Sequence, residues 1–453
     1  TMRRKQWLGL MLAGVMTVSL VSGCAKSGGD ATAKTEAGTT ATVQTEAKPE
    51  ETAATEKTGD KEVLEFYHGY YHDESEWAPA KAMRDIYDEF AKQHADGPVK
   101  FKAIPTENIQ SVVDNKVAGG AYPDMIDLAG NSVSLAAISQ GLLYDMKPYI
   151  DEQKIQEQVG LNYAQNDTGA KIYTVHDQLN TLGFWYNEDI LNQVGATLPD
   201  TWKTWDDFAA AMEKVRAIGG DIYAYGAGEG SVHSFNAALG RTETGAAMLA
   251  GELTADTVNS EEFADAFRTV AALDQANGSA NTSSSANDWS ADFNAGKSAV
   301  FFNGVWAAGG FEGEAGFQPA IFPGSVALSS AGGGITIASG MSEDKTALAL
   351  EFVKYMTSEE VQTKIFKEVG ANPCNASLNL NTLAEGADSS VVLLAKACAQ
   401  ANSADTIVPT VDAVWGTDIR NALANRLMEA AISGTDIEAK LEELKSELVA
   451  LIG

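Results

Sequence analysis

Thr181-Leu182-Gly183-Phe184-Trp185-Tyr186-Asn187-Glu188-Asp189-Ile190 starts as an apolar run and turns polar. Its first five residues predict a strand. Downstream, Thr204 and Asp207 stand at the spacing of a capping box, which predicts a helix running to about Ile218. Toward the N-terminus the same alternation recurs. Val63–Tyr67 reads as a strand. Glu76–His94 reads as a helix with Trp77, Ala80, Met83, Tyr87 and Phe90 on one face, and Val99–Ile104 as a second strand. A helix near Ile109–Val117 and the apolar strand Asp124–Leu128 follow. Toward the C-terminus, Ala299–Phe302 and Gly334–Ile337 are strand candidates. Lys345–Met356, Glu359–Glu368, Val414–Ala431 and Ile437–Leu448 are helix candidates. Strands alternating with helices predict an α/β fold, and the length predicts two lobes.

The N-terminus carries an address. Arg3, Arg4 and Lys5 precede an apolar segment from Trp7 to Leu20, and Val21-Ser22-Gly23-Cys24 closes it with small residues before a cysteine. Residues 1–23 therefore resemble a bacterial lipoprotein signal peptide. Cys24 is then the lipidated residue, anchored at the extracellular face of the cytoplasmic membrane. Residues 25–60 hold Val43 as their only large aliphatic side chain and no aromatic, which predicts a disordered linker.

Composition narrows the function. Without the three basic residues of the signal, 29 Lys and Arg face 62 Asp and Glu, a formal charge of −33. That argues against nucleic acid as a partner and leaves the lipid as the membrane attachment. No cofactor motif is complete: Gly296-Lys297-Ser298 lacks the phosphate-loop glycine, which is Ala291, and Gly226-Ala227-Gly228-Glu229-Gly230 lacks the dinucleotide spacing. His68 and His72 have no further nearby His or Cys, so no metal site is expected. Cys374 and Cys398 are the extracellular pair left after Cys24; a disulfide and two separate buried thiols are both open. With no nucleophile, metal or cofactor motif, a binding protein leads over an enzyme.

The motifs support a family. Leu182–Ile190, then Leu198-Pro199-Asp200-Thr201-Trp202 and Thr204-Trp205-Asp206-Asp207-Phe208, resemble the signature of extracellular solute-binding proteins serving sugar ABC importers, the maltose-binding type. Phe293–Ala307, with Asn303-Gly304-Val305-Trp306, and Gly334–Ala338 with Ala349–Thr357 are similar to two further family segments. Tyr122-Pro123-Asp124 and Gln140-Gly141-Leu142-Leu143 fit as well. The resemblance implies a two-lobed periplasmic-binding-protein-like fold (type II) with discontinuous lobes joined by a hinge. Residues 61–174 and 322–372 would form the N-terminal lobe, and 178–318 and 376–453 the C-terminal lobe. Crossings are expected near Thr174–Asp177, Pro319–Phe322 and Pro373–Ala376.

The resemblance also implies a cleft that holds a sugar or oligosaccharide, delivery to ABC permease subunits, and a protein acting as a monomer. A sugar ring offers an apolar face and a hydroxyl rim, so its site needs flat aromatics and fixed polar groups. Trp306 and Trp415 occupy positions where the family stacks aromatics, with core packing as the alternative for each. Tyr70 and Tyr71 follow the first strand, Asn131 follows the Asp124–Leu128 strand, and Asn180 lies near the first crossing. His233 in the Gly228–Phe235 loop and Gly333 before a strand complete the ligand-binding candidates. Trp185, Trp202 and Trp205 read as core, and Trp289 as either. Tyr70 and Tyr71 replace charged residues of the maltose-binding protein itself, so maltose is not implied. The rival readings are a surface glycan-active enzyme and a ligand sensor for a signalling receptor.

Overall fold

The run from Thr181 to Trp185 is not one strand. In the computed structural model, which describes residues 61–129, 133–155, 171–228, 230–282, 286–311, 316–331 and 334–453, it is cut at Gly183 into the end of one strand and the start of another. A Cβ at Gly183 would lie 2.3 Å from the Ala320 carbonyl oxygen, so only glycine permits that backbone approach. The lipoprotein signal, Cys24, the 25–60 linker, Asn131 and Gly333 lie outside the described residues.

The described strands are β1 (Glu62–His68), β2 (Val99–Pro105), β3 (Met125–Asp127), β4 (Gln178–Leu182), β5 (Phe184–Asn187), β6 (Tyr223–Gly226), β7 (Ser298–Phe301), β8 (Phe317–Ala320), β9 (Val326–Ala331), β10 (Ile335–Ile337), β11 (Asn372–Pro373) and β12 (Thr406–Val408). They form three four-stranded sheets. The first has the order β10-β3-β1-β2, with β1 parallel to both β2 and β3 and β10 antiparallel at the edge. The second has the order β6-β7-β5-β8, with β6 and β7 parallel. The third, β11-β4-β9-β12, carries segments of both expected lobes.

Helix faces explain how each sheet is covered. Helix Ala78–Gln93 buries Ala80, Met83, Ile86, Tyr87 and Phe90 against the first sheet, where Phe66, Phe101 and Phe352 join the same apolar cluster. Its start is set by Pro79 near the N-terminus of the helix. In the other core, helix Trp205–Arg216 begins with the expected capping box. The Thr204 hydroxyl accepts from the Asp207 N–H, while the Asp207 carboxylate accepts from the Thr204 N–H at 2.9 Å. It buries Trp205, Phe208, Met212 and Val215 with Trp202 and Phe184. Trp185 is buried as expected, and so is Trp289, whose ring lies on Gly226.

Two expectations are corrected, and one open alternative is decided. The middle passage between cores does not occur at Pro319–Phe322, because Phe322, Val326 and Leu328 are buried with Leu182, Phe184 and Val408. The chain reaches the first sheet only at β10, and Phe322, Val326 and Leu328 pack with the C-terminal core. The Gly228–Phe235 loop is replaced by helix Gly230–Gly240, whose residues are buried almost throughout and lack the one-sided pattern that marks a surface helix. Cys374 and Cys398 are both free and buried, in separate apolar clusters. Cys374 donates its thiol to the His176 carbonyl at 3.1 Å instead of meeting Cys398.

Candidate ligand-binding cleft

In an open α/β sheet, ligands bind beyond the C-terminal ends of the parallel strands, where the strand order reverses. In the first sheet the chain runs from β1 outward to β2 and then back across to β3, so the reversal lies between the ends of β1 and β3. Those ends are His68–Tyr71 and Asp127–Leu128. In the second sheet the parallel pair β6 and β7 ends at Gly226–Gly228 and at Phe302–Trp306. Four strand ends thus define a candidate cleft, and the β4 and β9 segments connect its two sides.

On the first side Tyr70 is held from several directions. Its ring stacks on Trp77 at 5.6 Å between centroids and 15° between planes. Its hydroxyl accepts a hydrogen bond from Gln178 Nε2. Its N–H donates to His68 Nδ1 at 3.2 Å, and its carbonyl accepts from Arg84 at 2.7 Å. Tyr70 is therefore only 7% exposed, whereas Tyr71, stacked on His72, is 39% exposed. Because His68 Nδ1 accepts, its proton sits on Nε2, which is buried with no hydrogen-bond partner. Burial, with Arg84 adding to it, pushes the His68 imidazole down to about 4.

Beneath Tyr70 two carboxyl groups are buried together. Asp127 Oδ1 accepts from the Ala129 N–H at 2.9 Å and the Gly334 N–H at 3.1 Å, while Oδ2 has no partner. Neither carboxyl oxygen of Asp177 has a hydrogen-bond partner in another residue. Burial raises both groups, Asp177 well above the carboxylate range because Asp127 adds its charge. Gly334 lets the crossing segment come close: a Cβ there would lie 2.6 Å from Thr174 Cγ2. The same two carboxyls, together with burial, raise the Tyr70 and Tyr87 hydroxyls, so the four groups share one polar interior.

On the second side Trp306 is the second residue of a short 3-10 helix, Val305–Gly310, that follows β7, and is 44% exposed, its ring laid over Gly304. His233 is half-buried in the first turn of helix Gly230–Gly240, at the end of β6. Asn180 is half-buried in β4, opposite Ser330 of β9. Trp415 stands apart from the strand ends. It lies at a break between helices Val411–Val414 and Thr417–Ala430, is 9% exposed, and donates its indole N–H to the Gly251 carbonyl at 3.1 Å. Tyr70 and Tyr71 thus follow β1 of the first sheet, His233 and Trp306 follow β6 and β7 of the second, and Asn180 lies in β4 of the third.

Sequence reading missed His68 as a site support, and it missed Asp127, Asp177 and Gln178. Gln178 is remote in sequence from Tyr70, Asp177 from Asp127, and Asp127 from Gly334, so no local spacing marks them; only Asp127, at the end of a short apolar strand, carried a usable signal. Among the described residues no group of three or more His, Cys, Asp and Glu is arranged to hold a metal ion. A groove of about 480 Å³ beside helix Ala78–Gln93 is lined by Asp73, Glu74, Lys81, Arg84, Asp85 and Asp88. It offers charge without a flat apolar face and belongs to one side only, so the strand ends are the better candidate.

Comparison with known proteins bears on the family and the fold. The model of the bacterial extracellular solute-binding protein family matches residues 85–389. The multiple sugar-binding protein of Streptococcus mutans serotype c is 25% identical over 315 residues, 64% of this chain and 71% of that protein. A Streptococcus pneumoniae solute-binding protein, solved in complex with the blood group A-trisaccharide, is 51% identical with a TM-score of 0.79. The match covers 86% of this chain and all of that one. The solute-binding protein RafE in complex with raffinose, 18% identical with a TM-score of 0.65 over 86% of this chain and 100% of its own, shares the fold. The fold is the two-lobed α/β architecture of solute-binding proteins, and the chain belongs to the bacterial extracellular solute-binding protein family.

Proposed function

We propose that this protein captures a carbohydrate between its two lobes and delivers it to an ABC permease. The observation that carries the reading is the placement of exposed aromatic faces, Tyr71 and Trp306, at parallel-strand ends on both sides of the candidate cleft. Flat aromatic faces suit the C–H face of a sugar ring, and neighbouring polar side chains suit its hydroxyls. The 51%-identical relative solved with the blood group A-trisaccharide supports an oligosaccharide ligand. Asn131, Asn180, His233 and Gly333 supply the polar rim in this reading. Tyr70, almost fully buried, supports its side from beneath, and Trp415 packs in the C-terminal core.

The lobes are proposed as residues 61–174 with 335–372, and 178–331 with 376–453, closing about the segments between them. Residues 1–23 are proposed as the signal peptide and 25–60 as a tether from lipidated Cys24, which places the protein at the outer face of the cytoplasmic membrane. The protein works as a monomer and binds rather than transforms its ligand. Calorimetry against mono- and oligosaccharides, with the blood group A-trisaccharide among them, tests this. A saturable heat with an unchanged sugar mass is expected. No binding across the panel, or loss of sugar mass over hours, contradicts it. Replacing Cys24 with Ala should shift the protein from membrane to soluble fractions.

A further inference from the structure

Gln362, on the short helix Glu359–Lys364, is fully buried and uses all four valences of its amide. Nε2 donates to the Asp177 carbonyl at 2.6 Å and to the Met356 carbonyl at 2.7 Å. Oε1 accepts the Cys374 N–H at 2.6 Å and the Asn375 N–H at 3.1 Å. These partners fix which end of the amide is oxygen, since two are N–H groups and two are carbonyls. Asp177 belongs to the first crossing and Cys374–Asn375 to the third. Further bonds reinforce the junction: Asn375 Nδ2 donates to the Thr357 carbonyl at 3.1 Å, and the Cys374 thiol to His176. Beyond it, β4 pairs with β9, whose Val326 and Leu328 are buried in the other core.

We infer that Gln362 is the positioning residue of the hinge. It fixes the first and third crossings to the N-terminal lobe, and the pairing of Gln178 and Leu179 with Pro373 and Asn372 keeps the start of β4 with them, so lobe rotation is taken up beyond Leu179 and after Asn375. The assignment rests on the two-lobe closing reading for the word hinge alone; the clamp is a property of the ligand-free chain and is measured without sugar. A buried four-valent amide suits this role, because losing it strands the Asp177 carbonyl at the first crossing, the Cys374 and Asn375 N–H groups at the third, and the Met356 carbonyl of the lobe together.

The test is residue-resolved hydrogen exchange on the ligand-free full chain. In the parent, the Cys374 and Asn375 amides should be protected to the level of β10, with a sharp fall over Ala376–Ser377. In Gln362→Met, which keeps the shape and removes every polar atom, exchange at Cys374 and Asn375 should accelerate at least tenfold more than in β1. In Gln362→Glu at pH 8 the acceptor is kept and the donors are lost. The residues around Asp177 should then loosen while Cys374 and Asn375 stay protected. Equal acceleration of β1 and the crossings in Gln362→Met would reduce the residue to core packing and overturn the inference. So would both variants loosening the two crossings alike. If Gln362→Met does not fold, the parent profile decides: rapid exchange at Cys374 and Asn375 refutes the clamp.

Discussion

Two buried carboxyl sites use similar residues and end in opposite states. In the C-terminal core, Asp274 accepts from the Tyr225 hydroxyl at 3.0 Å and the Ser231 hydroxyl at 2.6 Å, so both oxygens are satisfied by the protein's own donors. Beside the candidate cleft, Asp127 and Asp177 lie in one interior with three carboxyl oxygens lacking a partner from other residues, next to the unpartnered Tyr87 hydroxyl and His68 Nε2. The first arrangement is closed and structural. The second is left open where β1, β3 and the first crossing converge, with burial raising both of its carboxyl groups. Burial alone therefore does not mark a functional carboxyl; the supply of local donors does.

The largest expected effect breaks the closed site. Asp274→Ala strands two buried hydroxyls and leaves a cavity, and should lower stability by about 4 kcal/mol in urea unfolding. Asp177→Asn, which removes charge while keeping shape, should be neutral or stabilising at pH 8, because no partner from another residue is lost. Equal losses in the two variants would erase the distinction between the sites.

Next comes pH. Burial raises Asp274 to about 6 from an ordinary 3.8, so the folded state holds its proton more tightly. Its contribution is full below about pH 4 and is lost as pH rises to about 6, roughly 3 kcal/mol by linkage. His68 has the opposite sign. Its depressed value of about 4, against an ordinary 6.5, makes its contribution full above pH 6.5 and lost as pH falls to 4, again roughly 3 kcal/mol. Unfolding curves at several pH values check this. On acidification, the stability of the parent relative to Asp274→Asn should rise, and that relative to His68→Gln should fall. Parallel curves would remove either assignment. A smaller effect is expected for Trp306→Ala, whose ring is 44% exposed: its stability should change by less than about 1 kcal/mol in the same unfolding experiment.

Much of the fold was legible because local rules and tertiary structure agree. The Ala78–Gln93 face, the Thr204–Asp207 capping box and strands β1, β2 and β3 all fall within a few residues of their sequence-based positions. The quoted run failed at Gly183 because an apolar stretch does not reveal that its glycine meets the Ala320 carbonyl and passes the chain between sheets. Helix Gly230–Gly240 was hidden by burial on all sides, and β9 by the serines in Ser329-Ser330. Of the cleft candidates, Tyr71 was singled out by its position after the first strand and Trp306 by the segment Asn303-Gly304-Val305-Trp306. Gln362 reads as a surface residue in Glu359-Glu360-Val361-Gln362-Thr363-Lys364, and only its long-range partners show otherwise.

The central claim is that the open strand ends, with Tyr71 on one side and Trp306 on the other, hold a carbohydrate. Calorimetric titration of the parent, Tyr71→Ala and Trp306→Ala with the tightest saccharide of the panel tests it most directly. The account predicts saturable binding by the parent, weakened by about 1–3 kcal/mol in each variant, with cooperative unfolding retained. Undiminished affinity in both folded variants would contradict it.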